Sequence, residues 1–266
     1  MKTTLFVMSA TGGSLHVARI LAKALGETEI VLLPHAEVPT QTERVGLISP
    51  VYDGFPSPCV TDFIRGPLHQ ADKSPLSYLF CISTCAKTAA FAPQVLERLL
   101  AEAGCALSYH DQVKTIGTQV GLFPIPSKPN WDAILDAAEQ KTLEIAQEIK
   151  EDAIKLPRRK FLVGFQMKQV MPKAFKLLAS TAKDLACSDV CISCKACMEI
   201  CPTRNITMQA SRPVFGPDCI GCFACLLACP KQAILYQGRN WQVSYINPRS
   251  HIETARSAQW KANSTK

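Results

Sequence analysis

Between residues 191 and 230 the sequence reads CISCKACMEICP and later CIGCFACLLACP, with seventeen residues separating Cys201 from Cys219. Each copy is C-x2-C-x2-C-x3-C-P, the spacing of a bacterial iron–sulfur run. Three thiolates two residues apart can wrap one cubane, while a fourth that lies past a helical turn and beside a proline is aimed away from it. Structural zinc and disulfides are the competing readings. Zinc sites pair C-x2-C units without a fourth Cys-Pro, and disulfides need an oxidising compartment. Iron–sulfur clusters fit the spacing best.

The two copies also share Ile192/Ile220, Ala196/Ala224 and Ile206/Ile234. This 28-residue period predicts a duplicated unit whose apolar positions shield the clusters. The run resembles two-cluster bacterial ferredoxins, in which the fourth cysteine of each copy ligates the other cluster. That resemblance implies that Cys191, Cys194, Cys197 and Cys229 hold one [4Fe-4S] cluster, and Cys219, Cys222, Cys225 and Cys201 the second.

The length of 266 residues and the 47% apolar content allow one large module and one small one. The apolar run at the N-terminus is only four residues long and no apolar run of 18 or more follows, so neither a secretory leader nor a transmembrane segment is expected. Thirteen cysteines without an export signal then predict reduced thiols and a cytoplasmic location. The net charge of +7 is concentrated in residues 150–186, where nine Lys/Arg face three acids. No aromatic-studded basic face accompanies this segment, which argues against a nucleic-acid partner. An acidic redox partner protein, or peripheral contact with a membrane surface, fits it better.

Residues 4–8 (TLFVM) predict a strand, Ser9-Ala10-Thr11-Gly12-Gly13-Ser14 a loop, and Val17, Ile20, Leu21 and Leu25 the apolar face of a helix. Backbone N–H groups, glycines and hydroxyls at a helix N-terminus suit a phosphate. The Walker lysine and the dinucleotide G-x-G-x-x-G are both missing, so neither ATP nor NAD is indicated. Further strands are expected at 29–33, at 44–50, at 78–83 and within 106–118. Residues 51–56 read as a turn-rich loop and residues 122–130 as a proline-rich one. A helix is expected from Trp131 to about residue 154, two short helices broken at Pro172 across the connector, and a polar tail whose last part lacks order.

The loop at Ser9 resembles the phosphate loop of flavodoxins, S/T-x-T-G-x-S/T after the first strand. The resemblance implies a doubly wound five-stranded parallel sheet in the order 2-1-3-4-5 and a bound FMN. It assigns the phosphate to Ser9, Thr11, Gly12, Gly13 and Ser14, and the ring system to two loops. One carries Tyr52, Asp53, Gly54 and Phe55; the other carries Ser83, Thr84 and Cys85. Cys81 and Cys105 read as core residues, and Cys187 as a spare buried thiol. The five histidines show no metal spacing, and no residue is assigned a catalytic role.

Taken whole, the chain resembles the fused flavodoxin/ferredoxin proteins of the EFR1 family: an α/β flavodoxin-like domain over 1–155, a basic connector over 156–186, a small α+β dicluster ferredoxin domain over 187–236 and a tail over 237–266. The resemblance implies electron transfer between two [4Fe-4S] clusters, FMN and a redox partner. Two alternatives are a flavin-dependent reductase of a small substrate fed by the clusters, and a cluster-only carrier whose first domain is a flavin-free docking module.

Overall fold

The structure, a computed structural model, describes residues 1–34, 36–39, 42–122 and 124–264, without the side chains of residues 128, 129 and 260–264. His35, Phe123 of the proline-rich loop, the side chain of Trp260 and the last two residues of the tail lie outside the described residues. By its contacts the chain divides into two units. The first is Met1–Ser9, Gly13–Ile116 and Pro126–Met171; the second is Ala10–Gly12, Gly117–Ile125 and Pro172–Lys266.

The first unit is a parallel sheet with its helices in two packing groups. Its chain order is β1 (Thr3–Val7), α1 (Gly13–Leu25), β2 (Thr28–Leu32), β3 (Arg44–Tyr52), β4 (Phe55–Pro56), α2 (Pro58–Phe63), β5 (Tyr78–Cys85), α3 (Ala92–Glu102), β6 (Tyr109–Lys114) and α4 (Lys128–Lys150). The sheet runs β2-β1-β3-β5-β6, with β4 an antiparallel appendage of β3. Counting the parallel strands alone, this is the 2-1-3-4-5 order of a doubly wound flavodoxin-like sheet, whose ligands bind outside the carboxyl ends of the strands. The central strands β1 and β5 bury every residue, as strands covered on both faces must. Helix α1 packs against α4, while α3 packs against β4 and β5. Gly46 in β3 is a point of close approach, because a Cβ there would fall on Phe80 and lie 2.6 Å from Leu5 Cδ2.

Three local differences from the sequence expectation have physical causes. The third strand continues through Tyr52, turns at Asp53 (φ 49°) and Gly54 (φ 83°) and returns as β4. Asp-Gly accepts two successive positive φ values and so closes a two-residue hairpin where a turn-rich loop was expected. Helix α4 starts at Lys128, before Trp131, because Pro129 lies in its first turn, where no N–H is needed. The connector forms α5 (Val163–Phe165), a π-helical stretch Gln166–Val170, and α6 (Met171–Ser180). Pro172 therefore sits at the start of α6, and the wide turn before it accommodates the missing donor.

The second unit contains β7 (Leu185–Cys187), α7 (Ala196–Ile200), β8 (Ile206–Gln209), β9 (Arg212–Phe215), α8 (Ala224–Leu227), β10 (Ile234–Tyr236) and α9 (Ile252–Ser264). The 28-residue period organises it: Ala196 and Ala224 open the two short helices, and Ile206 and Ile234 open β8 and β10. Left-handed backbone recurs at the same period, at Ser193/Gly221, Lys195/Phe223 and Arg204/Gln232. The ladders are antiparallel, β7 with β10 and β8 with β9, so the first strand of the first copy pairs with the last strand of the second. The end of the tail forms α9, which packs on α7. Ile252 and Arg256, one turn apart, are fully buried. Among the described residues, no helix is long and apolar enough to cross a membrane.

Candidate functional site

Each cysteine copy begins in an extended loop, reverses at two left-handed residues and enters a short helix. The reversal brings backbone donors back onto sulfur. Ser193 N–H donates to Cys191 Sγ at 3.4 Å, Gly221 N–H to Cys219 Sγ at 3.4 Å and Ala233 N–H to Cys229 Sγ at 3.2 Å. Hydrogen bonds to cluster sulfur are among the features that set a cluster's potential.

The eight thiols fall into two groups. Cys191, Cys194, Cys197 and Cys229 line one hollow; Cys201, Cys219, Cys222 and Cys225 line another. Each fourth cysteine thus stands with the triplet of the other copy. The crowding has an electrostatic cost when no metal is bound: burial and the neighbouring thiols Cys222, Cys201 and Cys219 push the Cys225 thiol well above its ordinary value. A positively charged metal core reverses that cost, since coordination deprotonates a thiol outright.

The two hollows differ in exposure. Ile192 on the first is 56% exposed, whereas its repeat partner Ile220 is 7% exposed. Shielding by the paired isoleucines therefore holds for the second copy only. Beside Ile220, Gly221 is closely covered: a Cβ there would be 2.8 Å from Leu178 Cδ2 of α6 and 3.2 Å from Oγ1 of Thr181 just after it, and its φ of 63° also favours glycine.

Cys187, expected to be a spare buried thiol, is half-buried and lines the first hollow. Arg212 Nη1 approaches its sulfur at 3.9 Å. The signal was present in the repeat, because position 187 plus 28 is Phe215, which lines the second hollow.

In the first unit, Ser9 Oγ accepts the N–H of Leu15 at 3.2 Å, and the hydroxyls of Ser14 and Thr84 bond at 2.8 Å. Ser14 and Thr84 thus join the start of α1 to the end of β5. Gly12, which belongs to the second unit, adopts φ 97°, a conformation that favours glycine. Gly13 is different: its φ is ordinary and a Cβ there would meet Thr115 at 3.6 Å, normal contact. Ser83, Thr84 and Cys85 are buried at the end of β5, with Ser83 Oγ 3.1 Å from His110 Nε2. Burial holds His110 down to about 4 and pushes the Cys85 thiol up to about 11, so both are neutral near pH 7.

The two aromatic candidates sit as a register pair across the β3–β4 hairpin. Tyr52 is 4% exposed and Phe55 2%, and Phe55 stacks on Phe91 at 6.3 Å. Both rings are used in packing. Between them, Asp53 and Gly54 at the hairpin tip are partly exposed, and Gly54 O accepts the N–H of Phe91.

Residues 190–234 match the 4Fe-4S dicluster domain family. The matched span includes both cysteine copies. Among solved structures, similarity is found to a flavodoxin from the domain Archaea (TM-score 0.41, 12% identity, covering 56% of this chain and 99% of that one). It is also found to general stress protein 14 of Treponema denticola in complex with FMN (0.42, 9%, 56% and 99%), and to a flavodoxin, WrbA-like protein from Agrobacterium tumefaciens (0.38, 14%, 57% and 98%). These scores add nothing to the strand order, on which the fold of the first unit rests. No curated protein matches the chain.

Proposed function

We propose that this chain is an electron-transfer protein holding two [4Fe-4S] clusters in its dicluster domain and an FMN at its flavodoxin-like loops. The observation that carries the reading is the separation of eight cysteines into two hollows, each completed by the other copy's fourth cysteine. Cys191, Cys194, Cys197 and Cys229 are the ligands of one cluster, and Cys201, Cys219, Cys222 and Cys225 of the other. When bound, FMN supplies a store of two electrons releasable one at a time, and each cluster a one-electron step. The chain's part is to fix the potentials through N–H···S bonds and exposure, and to leave one cluster near the surface. The more exposed first group is the point of exchange with a partner.

For the flavin, the hydroxyls and backbone of Ser9, Thr11, Gly12, Gly13 and Ser14 suit a phosphate monoester at the start of α1. The packing of Tyr52 and Phe55 leaves Asp53, Gly54 and the turn after Cys85 to meet the ring. The same packing favours a second reading, in which the first unit is a flavin-free docking module. Flavin content of the isolated protein separates the two. Anaerobic isolation with iron, sulfide and flavin analysis tests the whole proposal.

The partner is expected to be acidic. Arg158 and Arg159 are exposed beside Phe161, which is 92% exposed, and Phe165. Lys160 is already engaged, donating to Ala90 O and standing 5.0 Å from the Phe91 ring. Electron exchange with the partner should slow about tenfold as salt rises from low to physiological levels. The double change Arg158→Glu, Arg159→Glu should slow it similarly at low salt. Stopped-flow rates that stay flat across this range would assign the segment to packing alone.

A further inference from the structure

Thr11 and Gly12 belong to the second unit together with the tail, and the tail touches them directly. The N–H of Asn247 donates to Thr11 O at 2.8 Å. A Cβ at Gly12 would collide with Ser250 and lie 3.0 Å from Asn247 Cβ. Glycine is therefore required at position 12 by both its φ and the tail.

Asn247 is 1% exposed, and its side chain is half satisfied. Oδ1 accepts the N–H of Arg249 at 2.9 Å, which fixes which end of the amide is oxygen. Nδ2 is buried without a hydrogen-bond partner. Ser250 next to it is fully engaged: its Oγ donates to Asn247 O at 2.8 Å and accepts the N–H of Ile252 at 3.3 Å. Leaving a buried amide donor unpaired is costly, and such donors in native proteins normally meet an acceptor. Here the donor belongs to the residue that meets Thr11 and Gly12, a loop whose glycine, hydroxyl and backbone suit an anion.

We infer that Asn247 Nδ2 is a ligand of the phosphate monoester, supplied by the tail to the loop at Thr11–Gly12. This rests on the flavin reading above and adds to it a residue far from the phosphate-loop motif. The backbone bond from Asn247 to Thr11 O and the tight fit of Ser250 against Gly12 hold the amide at the loop, and the phosphate completes its hydrogen bonding. The tail thereby selects flavin mononucleotide over riboflavin.

The test compares FMN and riboflavin binding by the full-length, cluster-loaded protein, followed by flavin fluorescence, with inorganic phosphate as competitor. Asn247→Ala is expected to weaken FMN about 10- to 100-fold, the loss of one hydrogen bond to a charged group, with riboflavin affinity and iron content unchanged. Asn247→Asp should weaken FMN further, by placing a carboxylate against the phosphate, and inorganic phosphate should displace FMN from the native chain at millimolar levels. Native-like FMN affinity in Asn247→Ala would overturn the inference while leaving the flavin reading intact. So would an equal loss for FMN and riboflavin, which marks a structural role, or tighter FMN binding, which marks the tail as a cover. A native chain that binds no FMN would overturn the flavin reading and this inference with it.

Discussion

Protein isolated without oxygen will carry about eight iron and eight sulfide per chain, and Cys229→Ala will lose about half of the iron. The half that is lost will be the cluster held by Cys191, Cys194 and Cys197, although Cys229 lies in the other copy of the motif. The reason is geometric: Cys229 lines the hollow of the first triplet, with its sulfur fixed by the N–H of Ala233 at 3.2 Å. Cys201→Ala will do the converse and remove the less exposed cluster. Iron counting with electron paramagnetic resonance of the reduced variants distinguishes the two, because the clusters differ in exposure and so in potential. Zinc in place of iron would contradict the assignment, as would loss of the Cys219, Cys222 and Cys225 cluster from Cys229→Ala.

Substituting Gly13 by aspartate will cut FMN affinity by about 100-fold while the protein folds normally. The position has an ordinary φ and room for a side chain beside Thr115, and a carboxylate in the first turn of α1 favours the helix. The same carboxylate faces a bound phosphate. Two like charges about 5 Å apart at an effective dielectric near 20 repel by about 3 kcal/mol, which is roughly two orders of magnitude in affinity. Riboflavin, which carries no phosphate, should bind as before. Gly12 is a poorer test position, since any side chain there would displace Ser250 as well. If Gly13→Asp binds FMN as tightly as the native chain, the loop is not the phosphate site.

The parts of this account that could be read from sequence are those encoded locally. The cysteine spacing defines two wrapped triplets, and the apolar runs of β1 and β5 mark strands buried on both faces. The hairpin at Asp53-Gly54 was also encoded, in a dipeptide that tolerates positive φ, but the short β4 carried too few residues to show a strand pattern. Cys187 was hidden because its role follows from the 28-residue period and not from the C-x2-C spacing. The tail was least legible. Helix α9 is held by burial of Ile252 and Arg256 in a mainly polar segment, and the meeting of Asn247 with Thr11 spans most of the chain, so no local pattern announces it.

The central claim is that one chain carries both a flavin and two clusters. An anaerobic coulometric titration of the FMN-loaded protein tests it most directly. The account predicts an uptake of about four electrons per chain, one for each cluster and two for the flavin, with cluster and flavin absorbance both bleaching and no flavin lost on gel filtration. An uptake of about two electrons that added FMN does not change would contradict it and leave a carrier that uses its clusters alone.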